Sequence, residues 1–282
     1  MTPTLVRHRP RTAPAAESSA QAYARARDWA EIQERMLVPL YEAVYERLEI
    51  DAGTRLLGLG CGSGLALVIA ATRGAQVTGF DTDRARLDLA LERMAQDGAG
   101  NAPAQLYDGD LPAAGEPGPG PYNLITAFQP IGCSAGDTEG LTAALAAAVG
   151  RSERGSAVVL TGWGPPERCA TSGVLRVAGR LTERLRAAGG WRPADRDDLE
   201  DVAARAGLKP DGSGRVACPF GYADLDSAVR GLLSTGLYDA AVRETDGEQV
   251  EKEIAEALHP YRRRDGTVWM PNVFRYLIAR TP

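Results

Sequence analysis

With 282 residues, 44% of them hydrophobic, the chain can bury the core of one large α/β domain, and whole-chain disorder is excluded. Its formal net charge of −5 and pI of about 5.3 remove the broad basic field that gathers nucleic acid or anionic membranes, which points to a small-molecule partner. Only two of the 32 Lys and Arg residues are lysines, Lys209 and Lys252, so lysine-based covalent or base chemistry has few candidates.

Residues 1–20, rich in Arg, Pro, Ala and Ser, contain no apolar core of a signal peptide and read as a disordered tail. Residues 21–282 read as one domain, with 21–50 as a helical N-terminal lid and 221–271 as a cap insertion. From Ala22 to Leu48 the apolar residues Trp29, Ile32, Met36, Leu37, Leu40, Val44, Tyr45 and Leu48 recur at helical spacing, with Pro39 expected to kink or split the helix. Alternating units come next: strand Arg55–Gly60, helix Ser63–Arg73, strand Gln76–Asp81 and helix Thr82–Gln96. Strands Ala104–Tyr107 and Tyr122–Phe128 flank a Gly/Pro-rich loop, then come helix Thr138–Val149 and strand Ser156–Trp163. Gly164 to Ala194 reads as irregular. The cap contributes helices Asp224–Ser234 and Gly247–Leu258, and Asn272–Arg280 a last strand. This rhythm predicts a Rossmann-like, mostly parallel doubly wound sheet with a ligand beyond the carboxyl ends of its strands. No later run approaches the ~18 apolar residues of a membrane helix, so a soluble, cytoplasmic protein is expected. Cys61, Cys133, Cys169 and Cys218 never form C-x-x-C, and no metal site is expected. Oligomeric state is left open, a homodimer being one option.

The segment Arg55-Leu-Leu-Gly-Leu-Gly-Cys-Gly-Ser-Gly64 runs from strand through a glycine turn into a helix. Its G-x-G-x-G spacing is not the dinucleotide fingerprint, and no Lys-Ser or Lys-Thr comes after it as in a P-loop. Asp81 ends the next strand, 21 positions past Gly60, a placement that suits a carboxylate accepting hydrogen bonds from a ribose diol.

On these residues the chain resembles the class I S-adenosylmethionine-dependent methyltransferases, in particular the small-molecule, ubiquinone/menaquinone-type subgroup of actinomycete biosynthesis. The family's Leu-Asp-x-Gly-Cys-Gly-x-Gly loop matches Leu57 to Gly64 except that Gly58 stands where the family has Asp, a residue that helps to organise the methionine end of the cofactor. The resemblance implies that Gly60, Cys61, Gly62 and Gly64 line the methionine and ribose, that Asp81 binds the ribose hydroxyls and that Thr82 lies beside the adenine. Asp108-Gly-Asp110-Leu-Pro resembles the family segment that would put Asp110 at the adenine amino group with Leu111 next to it. It implies S-adenosyl-L-methionine as cofactor and in-line methyl transfer to a natural-product-like acceptor. A cyclase that uses the cofactor without ordinary methyl transfer, or a non-catalytic cofactor-binding partner protein, stays open.

The loop after the fourth strand, Ala127-Phe-Gln-Pro-Ile131, lacks the Asn/Asp-Pro-Pro-aromatic sequence of nucleic-acid amino-methyltransferases, and Cys133 comes after Gly132 rather than the Pro of cytosine carbon-5 enzymes. Phe128, on the cofactor side, and Gln129, on the substrate side, are expected to face the reactive methyl. Trp29, Trp163 and Tyr222 are candidate aromatic walls for an apolar substrate. His8 lies in the tail, which makes His259 the one candidate for a histidine base; Arg262 to Arg264 after it read as complements to a helix end.

Overall fold

The computed structural model describes residues 18–96, 104–112, 120–182 and 192–282. The tail up to residue 17 and most of the Gly/Pro-rich loop lie outside the described residues. Helix α1 (Ser19–Asp28) opens with a reciprocal cap: Ser18 accepts from the Gln21 N–H, and the Gln21 side chain accepts from the Ser18 N–H at 3.0 Å. A π turn, Trp29–Gln33, and a 3-10 turn, Glu34–Leu37, then precede α2 (Val38–Arg47). The helix is split as expected, but upstream of the proline. Pro39 sits in the first turn of α2, where a missing N–H costs nothing.

Seven strands form the main sheet: β1 (Arg55–Leu59), β2 (Gln76–Asp81), β3 (Ala104–Asp108), β4 (Tyr122–Ile131), β5 (Ser152–Trp163), β6 (Lys209–Ala217) and β9 (Val273–Arg280). Their order is β3-β2-β1-β4-β5-β9-β6, and β9 runs opposite to the other six strands. The expected mostly parallel, Rossmann-like sheet is therefore present. Between the strands lie α3 (Leu65–Thr72), α4 (Arg84–Gln96), α5 (Asp137–Val149), α6 (Ala170–Thr182) and α7 (Asp198–Arg205). Parallel strands buried on both faces need apolar runs, and β1 and β5 have them: Leu56, Leu57, Val158, Val159 and Leu160 are fully buried. One core layer joins α2, α3 and α6 to the sheet through Tyr41, Val44, Leu67 and Val174, and the other joins α5 and α7 through Leu145, Leu199 and Val202.

Several elements depart from the sequence reading. Residues expected to be irregular include α6, whose Gly173, Gly179 and interspersed Thr, Ser and Arg blur a stripe formed by Val174, Leu175, Val177 and Ala178, all buried. α7 and β6 have no counterpart in the expected elements, and β6 shows why: it alternates half-exposed and exposed residues at the sheet edge and carries Gly212 and Gly214. In the cap, α8 (Leu225–Leu233) and α10 (Gly247–Leu258) match the two expected helices, and a short α9 (Asp239–Glu244) lies between them. A ribbon of β7 (Phe220–Tyr222) and β8 (Val268–Met270) brackets these three helices.

Residues 21–50 and α4 are bound to residues 221–271. Tyr222 donates its hydroxyl to Gln33 Oε1 at 3.0 Å, Arg25 pairs with Asp239 at 3.0 Å, and the Arg86 guanidinium donates to the Ser234 carbonyl at 2.7 Å. Trp29, Glu34, Leu37 and Tyr41 of the N-terminal segment line a space with Leu59, Asp81 and Phe128 of β1, β2 and β4. Among the described residues, no helix is long and apolar enough to cross a membrane.

Candidate cofactor site

The chain leaves β1 through a glycine loop held against the end of β2. The Cys61 N–H donates to the Phe80 carbonyl at 3.0 Å, and the Gly62 N–H donates to Asp81 Oδ2 at 2.7 Å. Gly64 precedes α3 with φ of 78°, and a Cβ there would lie 2.9 Å from the Ala90 Cβ of α4. Left-handed backbone and overpacking both oppose a side chain, so Gly64→Ala should cost about 2–4 kcal/mol, read as a shift in the denaturant midpoint.

Gly58 is explained by a different contact. It pairs in register with Gly79, and both glycines lie beneath Leu67 of α3. A Cβ at 58 would approach Leu67 Cδ2 to 3.0 Å, and one at 79 would approach Leu67 Cδ1 to 2.6 Å. Adjacent strands thus form a notch that receives the leucine, and a side chain at position 58 would require Leu67 to give way.

Asp81 stands where two cavities meet. Its Oδ1 accepts from the Asp83 N–H at 2.8 Å and its Oδ2 from Gly62, which leaves about two of its four lone-pair sites free. The larger cavity, about 470 Å³, is lined by Phe80, Asp81, Thr82, Asp110 and Leu111, with α5 forming one wall. Phe80 is held there by stacking on Tyr107, ring centroids 4.8 Å apart.

On the lid side, Trp29, Glu34, Leu37, Tyr41, Gly58, Gly60, Gly62, Asp81, Arg86 and Phe128 enclose a second space of about 30 Å³, room for a water or two. Arg86 lies over the Trp29 ring, 4.2 Å from its centroid, and pairs with Asp83 at 3.2 Å. The Trp29 indole nitrogen is buried there with no hydrogen-bond partner. Phe128 is packed between Tyr41 and Tyr45 at centroid distances of 4.8 and 5.5 Å.

Glu34 is 3% exposed and accepts from Ser63 Oγ and, at 2.9 Å, from Arg93. Burial holds its carboxyl above the ordinary value of 4.5, and the bonds from Ser63, Arg93 and the Leu65 N–H offset only part of that. A raised folded-state value means that folding favours the protonated form: Glu34's contribution to stability is complete below the unfolded value and is lost as pH rises through the folded one. The melting-temperature difference, wild type minus Glu34→Gln, should therefore fall as pH is raised from about 4 toward neutrality.

A third cavity of about 290 Å³ adjoins these, lined by Pro130, Ile131, Cys133, Ser134 and Leu237. Gln129, exposed, lines all three, and its Oε1 would lie 3.1 Å from a Cβ at Gly60. The loop beyond β4 is fixed by Asp137, which accepts from the N–H groups of Gly132, Cys133 and Ser134 at 2.8, 3.1 and 3.1 Å and is bound by Arg192 at 2.7 Å.

The structure thus gathers Trp29, Gly60, Cys61, Gly62, Asp81, Thr82, Asp110, Leu111, Phe128 and Gln129 around connected spaces, while Gly64 works in packing. Trp163, Tyr222 and His259 line none of the three cavities. Trp163 packs on Phe274 and Phe220, Tyr222 is buried against Gln33, and His259 is exposed after α10. Burial raises both cysteines near the site, Cys61 strongly and Cys133 to about 12, so neither offers a thiolate nucleophile near neutrality.

Sequence reasoning missed Glu34, Tyr41 and Arg86. Glu34 sits between Gln33 and Arg35 and reads as a solvent face. The π turn, which inserts about one residue, rotates the residues downstream of it by ~100° and carries Gln33 and Glu34 inward.

The family described as "Methyltransferase domain" matches residues 23–211. The chain belongs to the class I S-adenosylmethionine-dependent methyltransferases. Methyltransferase GfsG of Streptomyces halstedii is 40% identical over 70 residues, a match that covers 24% of this chain and 24% of that protein. The fold is shared with a putative methyltransferase, BH2331, of Bacillus halodurans C-125, at TM-score 0.54 and 14% identity over 86% of this chain and 98% of the other. It is also shared with the [4+2]-cyclase SpnF, at TM-score 0.51 and 17% identity over 86% and 80% of the two chains.

Proposed function

We propose that this methyltransferase-family chain moves a methyl group from S-adenosylmethionine to a small natural-product acceptor, in the manner of the actinomycete subgroup that its sequence resembles. The observation that carries the reading is Asp81, with two free acceptor positions at the junction of a nucleoside-sized cavity and the lid-side space. The residues present fit the cofactor. Thr82, Asp110, Leu111 and Phe80 would hold adenine, Asp81 the ribose diol, and the backbone of Gly60 to Gly62 would allow close approach of the rest.

Bound there, the sulfonium supplies an already activated methyl. The protein's part is then to align an acceptor and exclude water. Leu37, Tyr41 and Phe128 form a dry wall on the lid side, and Gln129, able to donate and to accept, orients the acceptor at the mouth of the three cavities. An amine or activated carbon acceptor needs no strong base, which agrees with the exposed position of His259 and the protonated state of Cys61 and Cys133.

Calorimetric titration with S-adenosylmethionine, S-adenosylhomocysteine and NAD tests the cofactor assignment. Micromolar binding of the first two and none of NAD is expected; failure of both adenosyl compounds to bind would sink it. Formation of S-adenosylhomocysteine with candidate acceptors then separates methyl transfer from a cyclisation that leaves the cofactor intact.

A further inference from the structure

S-Adenosylmethionine ends in an ammonium and a carboxylate, and a site that takes it must meet both charges. With the nucleoside in the 470 Å³ cavity and the ribose at Asp81, the amino-acid end points into the lid-side space that Asp81 also lines. Besides Asp81, the charged residues lining that space are Glu34 and Arg86.

Three side chains lining that space suit the charges of a zwitterion. Glu34 is a carboxylate carried into the interior by the lid; its Oε2 is used by Ser63 and Arg93, while its Oε1 lies 3.2 Å from where a Gly62 Cβ would stand. The Trp29 indole nitrogen lies 3.2 Å from the same point and is a buried donor without an acceptor, a condition that native structures rarely leave uncompensated. Arg86 brings the cation to the same wall, over the Trp29 ring. Position 58 is glycine, with Leu67 packed over it, and so supplies no charge to this space.

We propose that the lid itself recognises the amino-acid end of the cofactor, Glu34 binding the ammonium and the Trp29 N–H with the Arg86 guanidinium binding the carboxylate; this rests on the functional reading above. Because the space is about 30 Å³, entry of that end requires the Trp29, Glu34 and Arg86 side chains to draw apart around it while keeping their contacts with it. Lid position and cofactor occupancy are thereby coupled.

The test is calorimetry of wild type, Glu34→Gln and Trp29→Phe with three probes: S-adenosylmethionine, its decarboxylated form, which keeps the sulfonium and ammonium without the carboxylate, and methylthioadenosine, a neutral thioether that lacks all three charges. Glu34→Gln should weaken the first two about 10–100-fold and methylthioadenosine less than twofold. Trp29→Phe should weaken S-adenosylmethionine about tenfold and spare both other probes, an independent readout if Glu34→Gln folds poorly. Equal losses for all three probes would mean a merely structural role for these residues, and unchanged affinities would overturn the proposal outright. Wild type that binds none of the probes would overturn the functional reading with it, whereas wild-type binding with indifferent variants removes this inference alone.

Discussion

Asp81→Ala is expected to lower affinity for S-adenosylmethionine about 100–10,000-fold, the largest effect of any single substitution at the site. Two ribose hydroxyls lose a charged acceptor, each such bond being worth about 1.5–3 kcal/mol in a partly buried setting. The Gly62 N–H also loses its 2.7 Å acceptor, which loosens the loop itself. Because the damage falls on the ribose, methylthioadenosine should suffer with the full cofactor, unlike the response expected of Glu34→Gln. Asp81→Asn, which keeps one carbonyl acceptor, should fall between. Near-wild-type binding by Asp81→Ala, measured by calorimetry, would show that the cofactor lies elsewhere.

Gly58→Asp, which makes the glycine loop look more like its relatives, is expected to damage the protein rather than improve it. The new Cβ would stand 3.0 Å from Leu67 Cδ2, inside a buried stretch of β1. Overpacking costs about 1–3 kcal/mol, and a buried carboxylate without assured partners adds about as much again. For a chain of this size that corresponds to a melting temperature lower by roughly 5–15 °C. No gain in cofactor affinity should accompany it. Tighter binding by Gly58→Asp at unchanged stability would mean that Leu67 yields readily and that position 58 had been left vacant for another reason. Leu67→Ala should cost less stability in the Gly58→Asp chain than in the wild type, because the two side chains compete for the same notch.

The parallel half of the fold is legible in the sequence because its physics is local. Buried parallel strands tend to be apolar runs, and Leu56 to Leu59 and Ala157 to Leu160 are such runs, the first leading through the glycine loop into helical spacing. The glycine loop and Asp81 are legible for a related reason: backbone approach and an acid at a strand end leave a short-range pattern. The features that escape are set by tertiary contact. β6 is a half-exposed edge strand whose pairing partner, β9, lies more than fifty residues on, so its own sequence shows little strand character. Glu34 and Arg86 carry no motif; a change of helical pitch turns the first inward, and the second acquires its surroundings only when Trp29 of the lid folds over it. Tyr222 resembles a substrate wall in sequence because aromatic residues suit both cores and pockets. Its buried hydroxyl and the Gln33 carbonyl make it a clasp between cap and lid.

The place of β9 bears on the order in which the chain assembles. Each of the other strands is synthesised before it, yet β6 joins the sheet only through β9, and the β5 face that β9 covers, Ala157 to Trp163, is almost entirely apolar. While the chain is being made, the five strands from β1 to β5 can pair as they emerge, but β5 remains an open, hydrophobic edge and β6 has nothing to dock on. Closure of the sheet is therefore a late event of long sequence separation. During that interval the nascent molecule depends on dilution or a chaperone to keep one β5 edge from meeting another.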